Sequence, residues 1–342
     1  MTFAATPVLS VQDLKTWFDT DEGVVRAVDG VSFDLYRGQT LAIVGESGCG
    51  KSMTARSILR LIDPPGRQVA GRILLAGDGG SIPADAVDLF KLDPQSRQMR
   101  EIRGRRIALV FQEPMASFSP VYTIGNQITE AVRLHQRADR REAWTKAIEE
   151  LRKVGVPNPE RRMGQYPHEL SGGLLQRAMI AMALVCQPSV LIADEPTTAL
   201  DVTTQAQILA LLGDLQRETK MAMILITHDL GVVAQIADQV LVMYLGRAVE
   251  YASVDAIFHA PKHPYTRALL RSLPDARGGR EPLPTIPGHV PHPMNRPGGC
   301  PFHDRCDEVI AGKCDKFVPQ LSAVAEKHQA SCFLYQEPEF HA

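Results

Sequence analysis

Between Gly45 and Ser52 the chain reads Gly-Glu-Ser-Gly-Cys-Gly-Lys-Ser, directly after the apolar run Thr40-Leu41-Ala42-Ile43-Val44. The spacing Gly-x4-Gly-Lys-Ser is that of a P-loop, which works only as a strand, a tight loop and a helix in that order. Gly45, Gly48 and Gly50 let the backbone turn so that successive N–H groups face one concavity, and a helix starting near Lys51 adds its positive end. Such a cradle takes the phosphates of a nucleotide. Lys51 is placed to reach the outer phosphates and Ser52 to ligate Mg²⁺. Glu46, Ser47 and Cys49 in the loop, and Met53 just beyond it, complete the expected nucleotide-binding set. Cys49 reads as a small side chain that fits, ahead of a redox sensor. Alone, the motif covers kinases, GTPases and motors alike.

The motifs that follow narrow this. Val190-Leu191-Ile192-Ala193 is an apolar strand ending in Asp194-Glu195, a Walker B segment. Asp194 is placed to hold Mg²⁺ and Glu195 to polarise an attacking water as general base. Ala199-Leu200-Asp201 comes next, and a second apolar strand, Met223 to Thr227, ends at His228-Asp229. Between the P-loop and Walker B lie Phe111-Gln112-Glu113-Pro114 and Leu170-Ser171-Gly172-Gly173.

In that order, over about residues 10 to 255, these motifs resemble the ATP-binding subunit of an ABC transporter. The Ser-Gly-Gly helix between P-loop and Walker B sets that family apart from other P-loop proteins. The resemblance implies an α/β fold. A P-loop NTPase (RecA-like) core would carry an N-terminal β-subdomain, an inserted helical subdomain at about 115–186 and a small loop-rich C-terminal extension. It implies that Phe18 stacks on adenine, with Trp17 on the other face of its strand. Gln112 would touch Mg²⁺ and the attacking water and relay nucleotide state to a membrane partner. Ser171, Gly172, Gly173 and Gln176 would cap the γ-phosphate bound to an opposite subunit, Asp201 would cross that interface, and His228 would bond the γ-phosphate. The implied catalytic set is Glu195, His228, Gln112 and Lys51, with Ser52, Gln112 and Asp194 on the Mg²⁺. One position departs from the pattern: Leu175 stands where a polar residue is usual, so a slightly altered interface is expected.

Composition bounds the rest. A formal net charge of −2 gives no electrostatic case for nucleic acid, and the arginines at 97, 100, 103, 105 and 106 read as a solvated face. The longest apolar stretch, Ala178 to Cys186, falls far short of the ~20 residues of a membrane span. The first residues lack a basic segment followed by an apolar one, so a cytoplasmic protein acting on a membrane through partners is expected. Segment 76–96 reads as a surface insertion.

After Glu250 prolines crowd the chain, and long helices are excluded there; residues 1–255 and 256–342 are therefore read as two domains. The second holds Cys300, Cys306, Cys314 and Cys332. Disulfides do not suit a cytosolic protein, and metal binding is the best remaining account, because thiolate ligation could fold a segment that burial alone would not. The close Cys pairs usual for zinc are absent, which tilts toward an iron–sulfur cluster, though spacing leaves both open. His303 is a weaker ligand candidate.

This tail sharpens the resemblance. His263-Pro264-Tyr265-Thr266, Ile286-Pro287-Gly288 and the run Gly299 to Cys306 look like the oligopeptide/dipeptide (and nickel) importer subfamily. That implies a 4Fe–4S cluster on the four cysteines, with zinc as the alternative. It also implies a second, related ATP-binding subunit in a heterodimer, two transmembrane permease subunits and an extracytoplasmic solute-binding protein, with no nucleic acid. The chain would sit peripherally on the cytoplasmic face of a bacterial inner membrane and energise import of a solute, peptides ahead of nickel or sugars. The rival reading is a soluble ABC ATPase of repair, translation or iron–sulfur assembly. It would need tandem modules, an inserted coiled coil or a chain without the His-Pro-Tyr-Thr tail.

Overall fold

The computed structural model describes residues 6–77, 82, 85–198, 200–273 and 285–336. Ala199, the prolines at 274, 282 and 284, and part of the 76–96 segment lie outside the described residues. The chain forms two compact units: residues 1–9, 35–39 and 75–226 make one, and 10–34, 40–74 and 227–342 the other.

The first unit is built on three parallel strands. Ile107–Val110 pairs with Val190–Asp194, which pairs with Ala222–Ile226, in a register that sets Ile107 beside Val190 and Asp194 beside Ile226. The second and third strands are buried along their whole length, which is why they read in sequence as continuous apolar runs. Three helices, Ile124–Gln136, Arg140–Lys153 and Gly172–Leu184, pack against one another in the expected helical region. Their starts follow from local chemistry. The Thr123 hydroxyl accepts the Asn126 N–H, and Asp139 with Glu142 forms a reciprocal capping box at 2.8 and 3.2 Å. Ile128, Val132, Ala147 and Leu151, on the first two of these helices, are fully buried.

The strands Leu9–Thr20, Gly23–Leu35 and Gly66–Leu75, in the second unit but for the terminal residues Leu9, Leu35 and Leu75, supply the expected β-rich start. Thr40–Val44, buried throughout, runs parallel to Gln239–Tyr244. Gln239–Tyr244 then pairs antiparallel with Arg247–Ser253.

The tail is less detached than its prolines imply. Its short strand His328–Ala330 pairs antiparallel with Arg247–Ser253 and with Ser322–Ala325, so tail residues extend the same sheet. Helices are short there, Val254–His259 and Pro264–Arg271, as the prolines require. Tyr244, Tyr265 and Phe302 are buried with ring centroids 4.8 to 5.3 Å apart, joining strand and tail in one aromatic cluster. Buried Glu250 accepts the N–H groups of Lys262 and His263 and contacts His328 Nε2 at 2.7 Å. These partners come from distant stretches of chain, so composition alone underrates the core the tail shares.

His263 is 1% exposed, and its Nδ1 accepts the Tyr265 N–H at the start of Pro264–Arg271. Burial, then nearby Arg267, lowers its pKa to about 3. The unfolded chain protonates this histidine below about 6.5 while the folded chain does not, so folding stability falls as pH drops from 6.5 toward 3. The cost from this group is roughly 2–3 kcal/mol between pH 7 and pH 4.5. His263→Asn, which keeps a capping acceptor but does not titrate, should flatten the loss measured by urea unfolding at the two pH values. Equal losses in both proteins would assign the acid sensitivity elsewhere.

Candidate nucleotide site

The cradle begins where the buried strand Thr40–Val44 ends. Gly45, Gly48 and Gly50 take φ of 149°, 78° and 101°. A Cβ at Gly50 would collide with the Ala27 carbonyl oxygen, and one at Gly45 with that of Met243. Glycine is thus required twice over, by the turn and by the space. Lys51 opens the helix Lys51–Ile58, is 5% exposed, and donates from Nζ to the carbonyls of Gly45 (2.8 Å) and Glu46 (3.1 Å). Ser52 and Met53 are half-buried in the first turn, while Ser47 and Gly48 are exposed. Cys49 is 1% exposed, and burial pushes its thiol up, which suits a space-filling side chain.

Phe18 is half-buried and lies against Gly66: a Cβ there would stand 2.5 Å from its ring. Trp17 instead carries the Arg26 guanidinium 4.9 Å over its ring. The two aromatics have different surroundings, as strand alternation requires. His228 is exposed, just beyond buried Thr227, and Asp229 after it caps the helix Leu230–Ile236 through the N–H groups of Gly231 and Val232.

The other predicted residues lie in the first unit. Asp194, 8% exposed, ends its strand. Glu195 follows at φ 45°, a left-handed turn that costs a non-glycine residue about 1–3 kcal/mol. Its carboxylate accepts from Gln112 Nε2 (3.0 Å) and from the Thr198 hydroxyl (2.9 Å). The structure therefore brings Gln112 and Glu195 together; Thr198, three residues beyond Glu195, is a partner that sequence reasoning missed.

Ser171 is the exposed N-cap of Gly172–Leu184, and its side chain makes no capping bond. At Gly173 a Cβ would stand 2.9 Å from the Thr204 methyl, so a side chain there would have to displace Thr204. Leu175 is 1% exposed and packs inward, so the expected altered interface has no apolar side chain to produce it. Gln176 is also 1% exposed and lies inside the unit. Asp201 caps the helix Val202–Thr219: the Thr204 N–H (2.9 Å) and then its hydroxyl (2.7 Å) hold the exposed Asp201 carboxyl below the usual carboxylate range.

Among the described residues the tail reaches the cradle at Glu46. Arg305 donates to both carboxylate oxygens of Glu46, at 2.8 and 3.1 Å, and the Tyr265 hydroxyl accepts the Glu46 N–H at 2.9 Å. Sequence reasoning used Arg305 and Tyr265 only as family marks and missed these contacts.

The cysteine expectation fares less well. Among the described residues no group of three or more His, Cys, Asp or Glu is arranged to hold a metal ion. Zinc binding at Cys300, Cys306, Cys314 and Cys332 has no ligand set in this geometry. The four thiols do lie within electrostatic reach of one another. Burial first, and then the other three, push Cys300 up to about 12; burial, then Cys332, Asp307 and Cys314, push Cys306 up to about 11. His303 Nδ1 lies 2.8 Å from the Cys300 carbonyl, a loop bond rather than a ligand position.

A buried parallel strand, a glycine cradle with its lysine, and a carboxylate pair at the end of a second strand define an α/β protein of the P-loop NTPase class. The model for the ABC transporter family matches residues 28–198, and that for the C-terminal region of oligopeptide/dipeptide transporters matches residues 249–314. The chain is 53% identical over 331 residues to the probable peptide ABC transporter ATP-binding protein y4tR of Sinorhizobium fredii, covering 96% of each chain. It is 47% identical over 336 residues to the dipeptide transport ATP-binding protein DppD of Bacillus subtilis, covering 98% of this chain and 97% of that one. Against DppD of Escherichia coli the identity is 45% over 325 residues, covering 95% and 96%. Among solved structures, the dimeric bacterial ABC transporter cassette MJ0796 matches with a TM-score of 0.62 at 25% identity, over 72% of this chain and 98% of that one. CbiO1 of Clostridium perfringens, part of the cbiONQ ABC transporter complex, gives 0.59 at 27%, over 75% and 92%. The chain belongs to the ATP-binding subunits of ABC transporters, in the oligopeptide/dipeptide group.

The cradle geometry makes one prediction. Gly50→Ala should cost about 1–3 kcal/mol of stability, from the left-handed φ and the crowded carbonyl. It should also weaken ATP binding more than tenfold, read by nucleotide titration beside a urea unfolding curve. Wild-type affinity would mean that the loop tolerates a side chain there.

Proposed function

We propose that this chain hydrolyses ATP to energise the import of di- or oligopeptides through membrane-spanning partner subunits. The observation that carries the reading is Glu195, a carboxylate held in a left-handed turn and oriented by Gln112 and Thr198, in a chain whose tail is of the oligopeptide/dipeptide transporter kind. The peptide and dipeptide transport named for its relatives supports the choice of cargo.

Residues 1–255 act as the ATP-binding domain and 256–342 as an extension of it. The N–H groups of the cradle and Lys51 bind the phosphates, and Phe18 stacks on the base. Ser52, Asp194 and Gln112 offer hydroxyl, carboxylate and amide oxygens, the hard donors that Mg²⁺ takes, and the ion when bound offsets phosphate charge. Glu195 removes the proton from a water whose oxygen attacks the γ-phosphorus, and ADP departs with the electrons of the broken P–O bond. His228 donates to the γ-phosphate.

The exposed N-terminus of Gly172–Leu184, with Ser171 and Gly173, caps the γ-phosphate held by a related second ATP-binding subunit, and Asp201 meets that subunit. Loss of the γ-phosphate removes the attraction, and the pair separates. Gln112, bonded to Glu195, begins a segment with exposed Met115, Val121 and Tyr122, an apolar surface for a permease. Two permease subunits and an extracytoplasmic solute-binding protein complete the importer, with this chain on the cytoplasmic face of the inner membrane. Among the described residues no helix is long and apolar enough to cross it.

Cys300, Cys306, Cys314 and Cys332 would hold a 4Fe–4S cluster. What supports this is the sequence: four cysteines in one short tail, the ligand number such a cluster takes. Its contribution would be structural, tying tail segments together.

Two measurements test these readings. Glu195→Gln should lower ATP turnover by at least about 100-fold while nucleotide binding survives; turnover near that of the parent protein would assign the base elsewhere. Anaerobically purified protein should carry about four iron and four sulfide per chain. A colourless protein with neither, or with one zinc, would remove the cluster.

A further inference from the structure

Glu46 is held at three points. Its side chain takes the Arg305 fork, its N–H goes to the Tyr265 hydroxyl, and its carbonyl receives Lys51 Nζ. Arg305 is correspondingly committed. Beyond Glu46, its Nε donates to the Pro287 carbonyl (2.9 Å) and Nη1 reaches the Tyr244 hydroxyl (3.3 Å). The rings of Tyr244 and Phe302 lie 5.8 and 6.0 Å from its guanidinium carbon. The Arg305 side chain is 5% exposed and that of Glu46 27%.

A carboxylate on the first residue after Gly45 is an awkward neighbour for a polyanion. At a separation of several Å in a partly buried site, each negative charge on a triphosphate would repel it appreciably. A guanidinium fork answers this better than a lysine, because two parallel bonds fix the carboxylate's direction as well as cancelling its charge. The same residue carries the carbonyl that orients Lys51. A shift of Glu46 therefore displaces the cation meant for the phosphates.

We propose that Arg305 is a positioning residue of the ATP site, holding Glu46 in place and neutralising it so that the cradle accepts a triphosphate. The cysteine-bearing tail is then a working part of nucleotide binding. The proposal rests on the nucleotide-site reading above, and the test separates the two.

ATP affinity is measured by titration on the full chain and four variants, Lys51→Ala, Arg305→Ala, Arg305→Lys and the pair Arg305→Ala/Glu46→Gln, with thermal melting alongside. Lys51→Ala should abolish binding; if it does not, the nucleotide site itself has been misread. Arg305→Ala should weaken affinity by about 10- to 100-fold, the range expected for an unpaired charge close to the phosphates. Arg305→Lys should fall between, since it restores charge without the fork. Removing the unpaired charge in Arg305→Ala/Glu46→Gln should recover most of the lost affinity, an outcome that repair of the tail's packing would not produce. Unchanged affinity in Arg305→Ala, or a loss that Glu46→Gln leaves in place, would overturn the proposal.

Discussion

A chain that offers its backbone N–H groups to an anion must first leave them without partners inside the protein. The loop after Val44 does so over part of its length, passing through positive φ at Gly45, Gly48 and Gly50, with neighbouring carbonyls crowding the Cβ places at Gly45 and Gly50. The Tyr265 hydroxyl and the Glu46 carbonyl take the N–H groups of Glu46 and Cys49. Such a turn is held only if its flanks are rigid. The strand before it is buried from end to end, and the helix after it is pinned at its first turn, where Thr54 donates to the Gly50 carbonyl. Lys51 lies folded back on the loop it serves, bonded to two of its carbonyls. Those bonds are weaker partners than phosphate oxygens would be, so the lysine can exchange them for a ligand without a large rearrangement.

A second strained position sits at the end of the other strand. Glu195 occupies left-handed space open to few residues of its size, and its carboxylate is gripped from two sides. Strain of that kind persists where surrounding bonds over-determine it, and here the Glu195 N–H to Ile226 carbonyl bond, at 2.9 Å, supplies the backbone restraint. Gln112 therefore ties the carboxylate to the exposed segment that follows it. Asp201 shows the opposite economy: one carboxylate caps a helix and stays exposed for other contacts.

The strands that carry these residues were legible because burial on both faces writes them as unbroken apolar runs next to glycine or paired acids. The helices were legible through periodicity and caps. Leu175 was misjudged because a residue's place in a motif does not say which face of its helix it occupies; the structure turns it inward. The tail was underread for a different reason. Its prolines speak only of local conformation, whereas its order comes from contacts such as Glu250 with His328 and Glu46 with Arg305, separated by 78 and 259 positions. Pairings at such distance leave no periodic trace in one sequence.

Asp29 makes the same point about how the tail is fixed. It is 4% exposed and takes Arg247 at 2.9 Å and Arg296, from the tail, at 2.7 Å. Burial works against its charge, but the two guanidinium groups prevail and hold the carboxyl below the usual range. A carboxylate buried with one arginine would already be paired; the second guanidinium, Arg296, ties a tail residue to the same carboxylate. The Asp29 N–H meanwhile bonds the Gly246 carbonyl, and the Gly246 N–H bonds the Cys49 carbonyl in the cradle. Charge anchors the tail to Asp29, which is linked to the loop through Gly246. A tail attached in this way shares its anchoring residues with hydrogen-bonded neighbours of the loop, so it is packed beside the loop rather than hung from the end of the chain.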